Sequence, residues 1–126
     1  VPLFNEATVF GELIKRIDTV IKSLPDLTIE VILVDDGSTD GTTQKIQDIA
    51  DHKTEYVGLI LSRNFGHQTA LSAGLSVVIA SDYVMVIDGD LQDPPEMLHD
   101  FLRKSKEGFE IVYGVRKKRK TENFLA

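Results

Sequence analysis

The sequence predicts an α/β domain with a mainly parallel sheet and helices on both faces, and three observations predict it. Apolar runs rich in β-branched residues alternate along the chain with amphipathic stretches of helical period. Those runs are nearly continuous in apolar character, as expected of strands covered on both sides. Charged and amide residues gather just after the runs, at the strand ends where ligands collect in sheets of this kind.

Residues 1–4 read as the last part of a strand whose beginning is missing, so the chain is expected to be one domain and a fragment of a longer protein. From Glu6 to Leu24 the residues Val9, Phe10, Leu13, Ile14, Ile17, Val20, Ile21 and Leu24 recur at helical steps, and Pro25 stops the helix. A strand follows at 29–34, a turn at 35–41, and a second helix at about 42–50 that turns Ile46, Ile49 and Ala50 inward. Residues 56–61 are a strand and 62–66 a polar link. The stretch 68–80, rich in Ala, Gly, Ser and Leu, is a helix able to approach the sheet closely. Residues 83–87 read as another strand, and Pro94 and Pro95 suit the start of a helix over 96–106 that buries Met97, Leu98, Phe101 and Leu102. The last strand is expected at 109–115.

With 126 residues and 42% hydrophobic content the chain suits one compact domain with a real core. No apolar run approaches the roughly 18 residues of a membrane span and no leader resembles a signal peptide, so the covered part is expected to be soluble. Without cysteine, any metal must be held by oxygen or histidine ligands. The formal charge is -6, with 14 basic against 20 acidic residues, and five of the basic ones are consecutive: Arg116, Lys117, Lys118, Arg119 and Lys120. A body so acidic argues against nucleic acid as a partner. The basic run is either a solvated tail or a contact for anionic lipid head groups or an acceptor phosphate.

Asp88-Gly89-Asp90 places two carboxylates two residues apart in a loop past a buried strand, with glycine between them to allow a tight path, and Gln92 adds a carbonyl oxygen. Hard cations such as Mg²⁺ or Mn²⁺ take oxygen ligands and keep positions for phosphate oxygens. An isolated Asp-x-Asp is more often a turn that caps the next helix. Here a second acidic pair, Asp35-Asp36, follows another strand. Ser38, Thr39 or Asp40 can cap the helix after it, whereas a second Asp at the strand end suits a base N–H or a ribose hydroxyl. Arg63, in the link Ser62-Arg63-Asn64-Phe65-Gly66-His67-Gln68, offers a planar fork for phosphate. His67 reads as a helix-start residue with a polar contact rather than as a base. Four polar clusters, at 35–36, 63–64, 88–90 and Arg116, are thus expected on one rim.

The combination of Val1-Pro2-Leu3-Phe4-Asn5-Glu6, Val34-Asp35-Asp36-Gly37-Ser38, Leu61-Ser62-Arg63-Asn64-Phe65-Gly66-His67-Gln68 and Ile87-Asp88-Gly89-Asp90-Leu91-Gln92-Asp93-Pro94-Pro95-Glu96 resembles family 2 glycosyltransferases. More narrowly, it looks like their polyprenyl-phosphate branch, which includes dolichol-phosphate mannose synthase and undecaprenyl-phosphate sugar transferases. The resemblance implies a GT-A fold and a nucleotide-diphosphate sugar donor, UDP favoured over GDP. It also implies a Mg or Mn cation near Asp88, Asp90 and Gln92, and a polyprenyl phosphate acceptor attacking with inversion. Pro2, Phe4, Glu6 and Asp36 would line the nucleoside pocket, Arg63 and Gly89 would belong to the donor site with Asp88, and Arg116 would face the acceptor phosphate. Asp88, Asp90 and Arg116 are the residues so expected to act in catalysis, at the cytoplasmic face of the membrane in the full-length protein. The chain stops soon after Arg116, before the segments that usually complete the acceptor site, so turnover by this piece alone is not expected.

The alternative is a Mg-binding receiver-type phosphoacceptor signalling domain, similar in length and with acidic residues at strand ends. It needs a lysine at a strand end, and none is evident. A phosphatase of the haloacid dehalogenase type also uses Asp-x-Asp, but near its first strand.

Overall fold

The computed structural model describes residues 1–80 and 82–115. Its centre is a parallel sheet in the order β1-β2-β3, with β1 at Pro2–Leu3, β2 at Val31–Asp35 and β3 at Tyr56–Ile60. Helix α1 (Ala7–Ser23) joins β1 to β2, α2 (Thr42–His52) joins β2 to β3, and α3 (His67–Ser76) follows β3. Helix α4 (Met97–Lys106) comes last among the described residues. The central strand sets the register: Val34 and Asp35 pair with Pro2 and Leu3 on one side, and Val31 to Asp35 pair with Tyr56 to Ile60 on the other.

Alternation along β2 sends neighbouring side chains to opposite faces. Val31 and Leu33 join Phe10, Leu13, Ile14 and Ile17 of α1 and Ile46 of α2 in one apolar cluster with Leu3 and Tyr56. Leu13, Leu33 and Ile46 are wholly buried, and each such side chain contributes about 1.5–3 kcal/mol. Val34 points the other way, and α3 lies there so closely that a methyl group at Gly74 would fall 2.9 Å from Val34 Cγ2. Helices therefore cover both faces of the sheet, as the sequence predicts. A polar tie holds α1 to the start of β3: the Tyr56 hydroxyl donates to Asp18 at 2.7 Å, and the Lys53 ammonium bonds the same carboxylate.

Two expected strands do not form among the described residues. Residues 83–87 and 109–115 form no ladder among the described residues. Tyr83, Val84, Val86, Phe109, Ile111, Tyr113 and Val115 are all exposed. High β propensity makes a strand only where a neighbour takes up the backbone donors and acceptors. Helix α3 also stops at Ser76 rather than at Ala80, its last turn tightened by Val77 and Val78 N–H bonds to the carbonyls of Gly74 and Leu75, both at 3.3 Å. Three successive β-branched residues, Val77, Val78 and Ile79, disfavour continuation. In α4 none of Met97, Leu98, Phe101 and Leu102 is fully buried, against expectation.

The chain divides into two compact units, Val1–Glu96 and a second beginning at Met97. The first holds the sheet, α1 to α3 and the loop at 88–93. In the second, residue 114 folds back on α4, where a methyl group at Gly114 would lie 3.3 Å from Phe101 Cζ.

Candidate functional site

The carboxyl end of β2 carries the two adjacent acids, and the fold uses them differently. Asp35 is 1% exposed; its Oδ1 accepts the Ser38 N–H at 3.0 Å and its Oδ2 the Thr43 hydroxyl. It holds the turn between β2 and α2. Asp36 is 4% exposed; its N–H donates to the Leu3 carbonyl at 2.8 Å, and its Oδ1 accepts the Phe65 N–H at 2.8 Å. It thereby joins the ends of β1 and β2 to the link after β3. Gly37 lies against that link with φ +74, and a methyl group there would fall 2.3 Å from the Arg63 carbonyl carbon and the Asn64 nitrogen. Only glycine fits this position, for both conformation and space.

The loop after β1 is clasped to the loop after β2. Asn5, at φ 52, donates its N–H to Ser38 Oγ at 2.9 Å and accepts the Thr39 N–H on Oδ1 at 2.8 Å. Asp40 accepts the N–H of Ala7 at 3.1 Å and of Thr42 at 3.0 Å, so one carboxylate caps both α1 and α2. The Thr42 hydroxyl, at 2.6 Å, contributes most to holding the Asp40 carboxyl below its ordinary range, with the backbone donors adding to it. Sequence reading offers Asp40 only as a cap for α2 and gives Asn5 no role. The one signal for Asn5 is its tolerance of left-handed backbone.

The loop with Asp88 and Asp90 runs beside β1. Gly89 is buried, and a methyl group on it would collide with Leu3 Cδ2 at 2.0 Å and lie 3.2 Å from the Pro2 carbonyl oxygen. The left-handed backbone falls on Leu91, φ 65, rather than on Gly89. The glycine is therefore required by close approach to β1, which gives the tight path expected from sequence its physical reason. Leu91 is partly buried against the core cluster and anchors the loop. Asp93 Oδ2 accepts the Asp88 N–H at 3.1 Å, and Asp90 Oδ1 accepts the Gln92 N–H at 3.0 Å in an Asx-type turn. Asp88 and Asp90 are partly exposed and Gln92 is exposed. His67 Nε2, at the start of α3, stands 3.6 Å from Asp88 Oδ1, a proximity that their separation in sequence does not signal.

The Glu6 carboxyl is raised above its ordinary value, first by burial and then by the charges of Asp90, Asp40 and Asp88. Three of the four predicted clusters thus share the rim at the carboxyl ends of β1 to β3. Arg116, the fourth, lies outside the described residues. Around the rim, Pro2 is buried in β1 and Phe4 is exposed just beyond it, while the Arg63 guanidinium stacks 4.2 Å from the centre of the exposed Phe65 ring.

Carboxylate oxygens are the donor type that a hard divalent cation takes. Asp88 and Asp90 supply partly exposed carboxylate oxygens among excess negative charge, and cations that serve nucleotides use one or two carboxylates and fill the remaining positions with water and phosphate. Among the described residues no group of three or more His, Asp or Glu side chains forms a cage of its own.

Compared with known families, residues 1–126 match the description "Glycosyl transferase family 2". The chain belongs to glycosyl transferase family 2. Its parallel sheet, with helices on both faces, agrees with the α/β GT-A fold. Family membership also sets aside the receiver and phosphatase alternatives. This family 2 chain is 42% identical over 131 residues to YkoT, an uncharacterized glycosyltransferase of Bacillus subtilis, across 99% of the chain and 39% of that protein. It is 39% identical over 127 residues to a second such protein of that organism, YkcC, across 99% of the chain and 38% of the relative. With the undecaprenyl-phosphate 4-deoxy-4-formamido-L-arabinose transferase of Klebsiella pneumoniae it shares 34% identity over 125 residues, 98% of the chain and 38% of that enzyme. The chain thus spans 38–39% of the length of these relatives. Among the described residues no helix is long and apolar enough to cross a membrane.

Proposed function

We propose that this chain is the donor-binding part of a glycosyltransferase that moves a sugar from a nucleoside-diphosphate donor to a polyprenyl phosphate at the cytoplasmic face of a membrane. The observation that carries this is the acidic rim, where the loop with Asp88 and Asp90 lies against β1 through Gly89, beside Glu6, Asp36 and Asp40 at the carboxyl ends of β1 and β2. Such a surface repels a bare pyrophosphate and suits one that arrives with a divalent cation. The polyprenyl phosphate acceptor draws support from the name of the Klebsiella relative.

Asp88, Asp90 and the Gln92 carbonyl oxygen would hold a Mg or Mn ion. When bound, the cation would offset the pyrophosphate charge and the charge of the departing nucleoside diphosphate. Pro2, Phe4, Glu6 and Asp36 line the nucleoside side of the site, and Asp36, fixed through Phe65 and Leu3, orients the base or ribose. Gly89 keeps the loop against β1, and Arg63 faces the donor phosphates. Arg116 anchors the acceptor. An acceptor phosphate oxygen attacks the anomeric carbon with inversion as the bond to the donor pyrophosphate breaks. That oxygen is already anionic near neutral pH, so no strong general base is required, and rate comes from positioning and charge stabilisation.

A thermal-shift panel of UDP, GDP, ADP and CDP, each with and without Mn²⁺, tests this. UDP with metal is expected to give the largest shift, since a ligand at about 100 times its dissociation constant adds roughly 2.7 kcal/mol. Asp90→Ala should abolish that shift while leaving the unliganded melting temperature within about 2 °C, because Asp90 is partly exposed. No response to any nucleotide with metal would sink the proposal.

A further inference from the structure

The loop at 88–93 has two attachments to the sheet region, Gly89 on β1 and Leu91 on the core, and both lie within its first four residues. Its far end has another. Arg16, in the middle of α1, grips Glu96 with two parallel bonds, Nε to Oε1 at 2.8 Å and Nη2 to Oε2 at 2.7 Å. This fork-to-fork pair joins residues 80 apart in sequence and fixes direction as well as distance. The Glu96 hydrogen bond is also the leading reason that the Arg16 guanidinium is raised further above its ordinary value. Between the anchors stand the left-handed Leu91 and the turn at Asp90, a backbone that other contacts must hold in place.

Resting on the functional reading above, we propose that Arg16 and Glu96 form a positioning clamp for the Asp88-Gly89-Asp90 loop, setting its affinity for the divalent cation and nucleoside diphosphate without touching either. Arg16 lies on α1 and Glu96 is three residues beyond Asp93, so the pair acts through the path of the backbone. A partly exposed pair of this kind shifts a local equilibrium by up to about fivefold.

The test is a double-mutant cycle in the full-length protein with Arg16→Gln, Glu96→Gln and both together, plus Arg16→Lys. Manganese is titrated at fixed UDP and followed by thermal shift, and the unliganded melting temperature is recorded for each variant. Each Gln variant is expected to raise the manganese half-saturation about three- to fivefold, and the double variant no further than the singles, because a single interaction is lost in all three. Arg16→Lys, which keeps the charge but not the fork, should fall between them and the parent. If the parent responds to manganese with UDP and every variant matches it, the clamp alone is refuted. If half-saturation merely tracks the unliganded melting temperature, or the singles add in the double, the pair is structural and the proposal falls. A parent that responds to no metal and nucleotide overturns the clamp together with the functional reading beneath it.

Discussion

Residues 31–34 and residues 83–87 look alike as sequence, two short runs of β-branched and apolar side chains each followed by an aspartate, Asp35 and Asp88, yet only the first lies in a strand. β2 has a partner on each side and helices over both faces, and Val31, Leu33 and Val34 are buried. Val84 and Val86 have no ladder partner among the described residues and are exposed. Only at Ile87 and Gly89, where the segment meets β1, does burial return. An apolar run specifies a surface that seeks cover; the neighbours decide whether it becomes a strand.

The largest effect that sharpens this contrast is expected at the centre of β2. Leu33→Ala removes a fully buried side chain from between α1 and α2 and should cost about 3–4 kcal/mol, measured by urea unfolding. A loss under 1 kcal/mol would mean that the β2 core is no better packed than the 83–87 segment. A smaller loss, about 1–2 kcal/mol, is expected for Thr43→Val, which keeps shape but takes a hydroxyl donor from the buried Asp35 carboxylate. An unchanged urea midpoint would show that Asp35 does not depend on that bond to hold the turn.

The same contrast explains what was legible in the sequence. Helix α1 and strand β2 announce themselves because their apolar residues follow a local pattern and are for the most part buried, so pattern and packing agree; β3 is legible from its apolar run although Val57 and Ile60 are exposed. Asp36 is legible as a rim residue because its position after a strand is a property of the chain, whereas Asp88 follows a run that is not a strand and its loop lies at the rim through Gly89 against β1. The double cap by Asp40, the clasp at Asn5, the approach of His67 to Asp88 and the Arg16 to Glu96 pair are not legible in this way. Each joins residues distant in sequence, and none leaves a periodic trace. The neighbour that makes Gly89 necessary, Leu3, likewise leaves no local trace, because it lies 86 positions away in the chain.

A modest, pH-dependent effect is expected at the rim. The Glu6 carboxyl is raised above its ordinary value of 4.5, so between the unfolded and folded values the native state binds more protons than the unfolded one. Stability therefore falls as pH rises through that window, and the full repulsion remains above it. Glu6→Gln removes the charge. Without added cation its melting temperature should exceed the parent's by about 1–2 °C at pH 7, the advantage fading as pH falls through that window and gone below the ordinary value of 4.5. A gain that persisted at low pH would assign the effect to packing rather than to Asp90, Asp40 and Asp88.

The smallest effect is expected where the second run stands apart from the sheet. Val84 is 53% exposed, so Val84→Ser removes little buried area and should change the unfolding free energy of residues 1–126 by no more than about 0.5 kcal/mol. Set beside Leu33→Ala, it asks whether two similar runs differ in energy as they do in burial. A cost above about 1.5 kcal/mol would mean that 83–87 is packed as a strand after all, and the difference between the two regions would disappear.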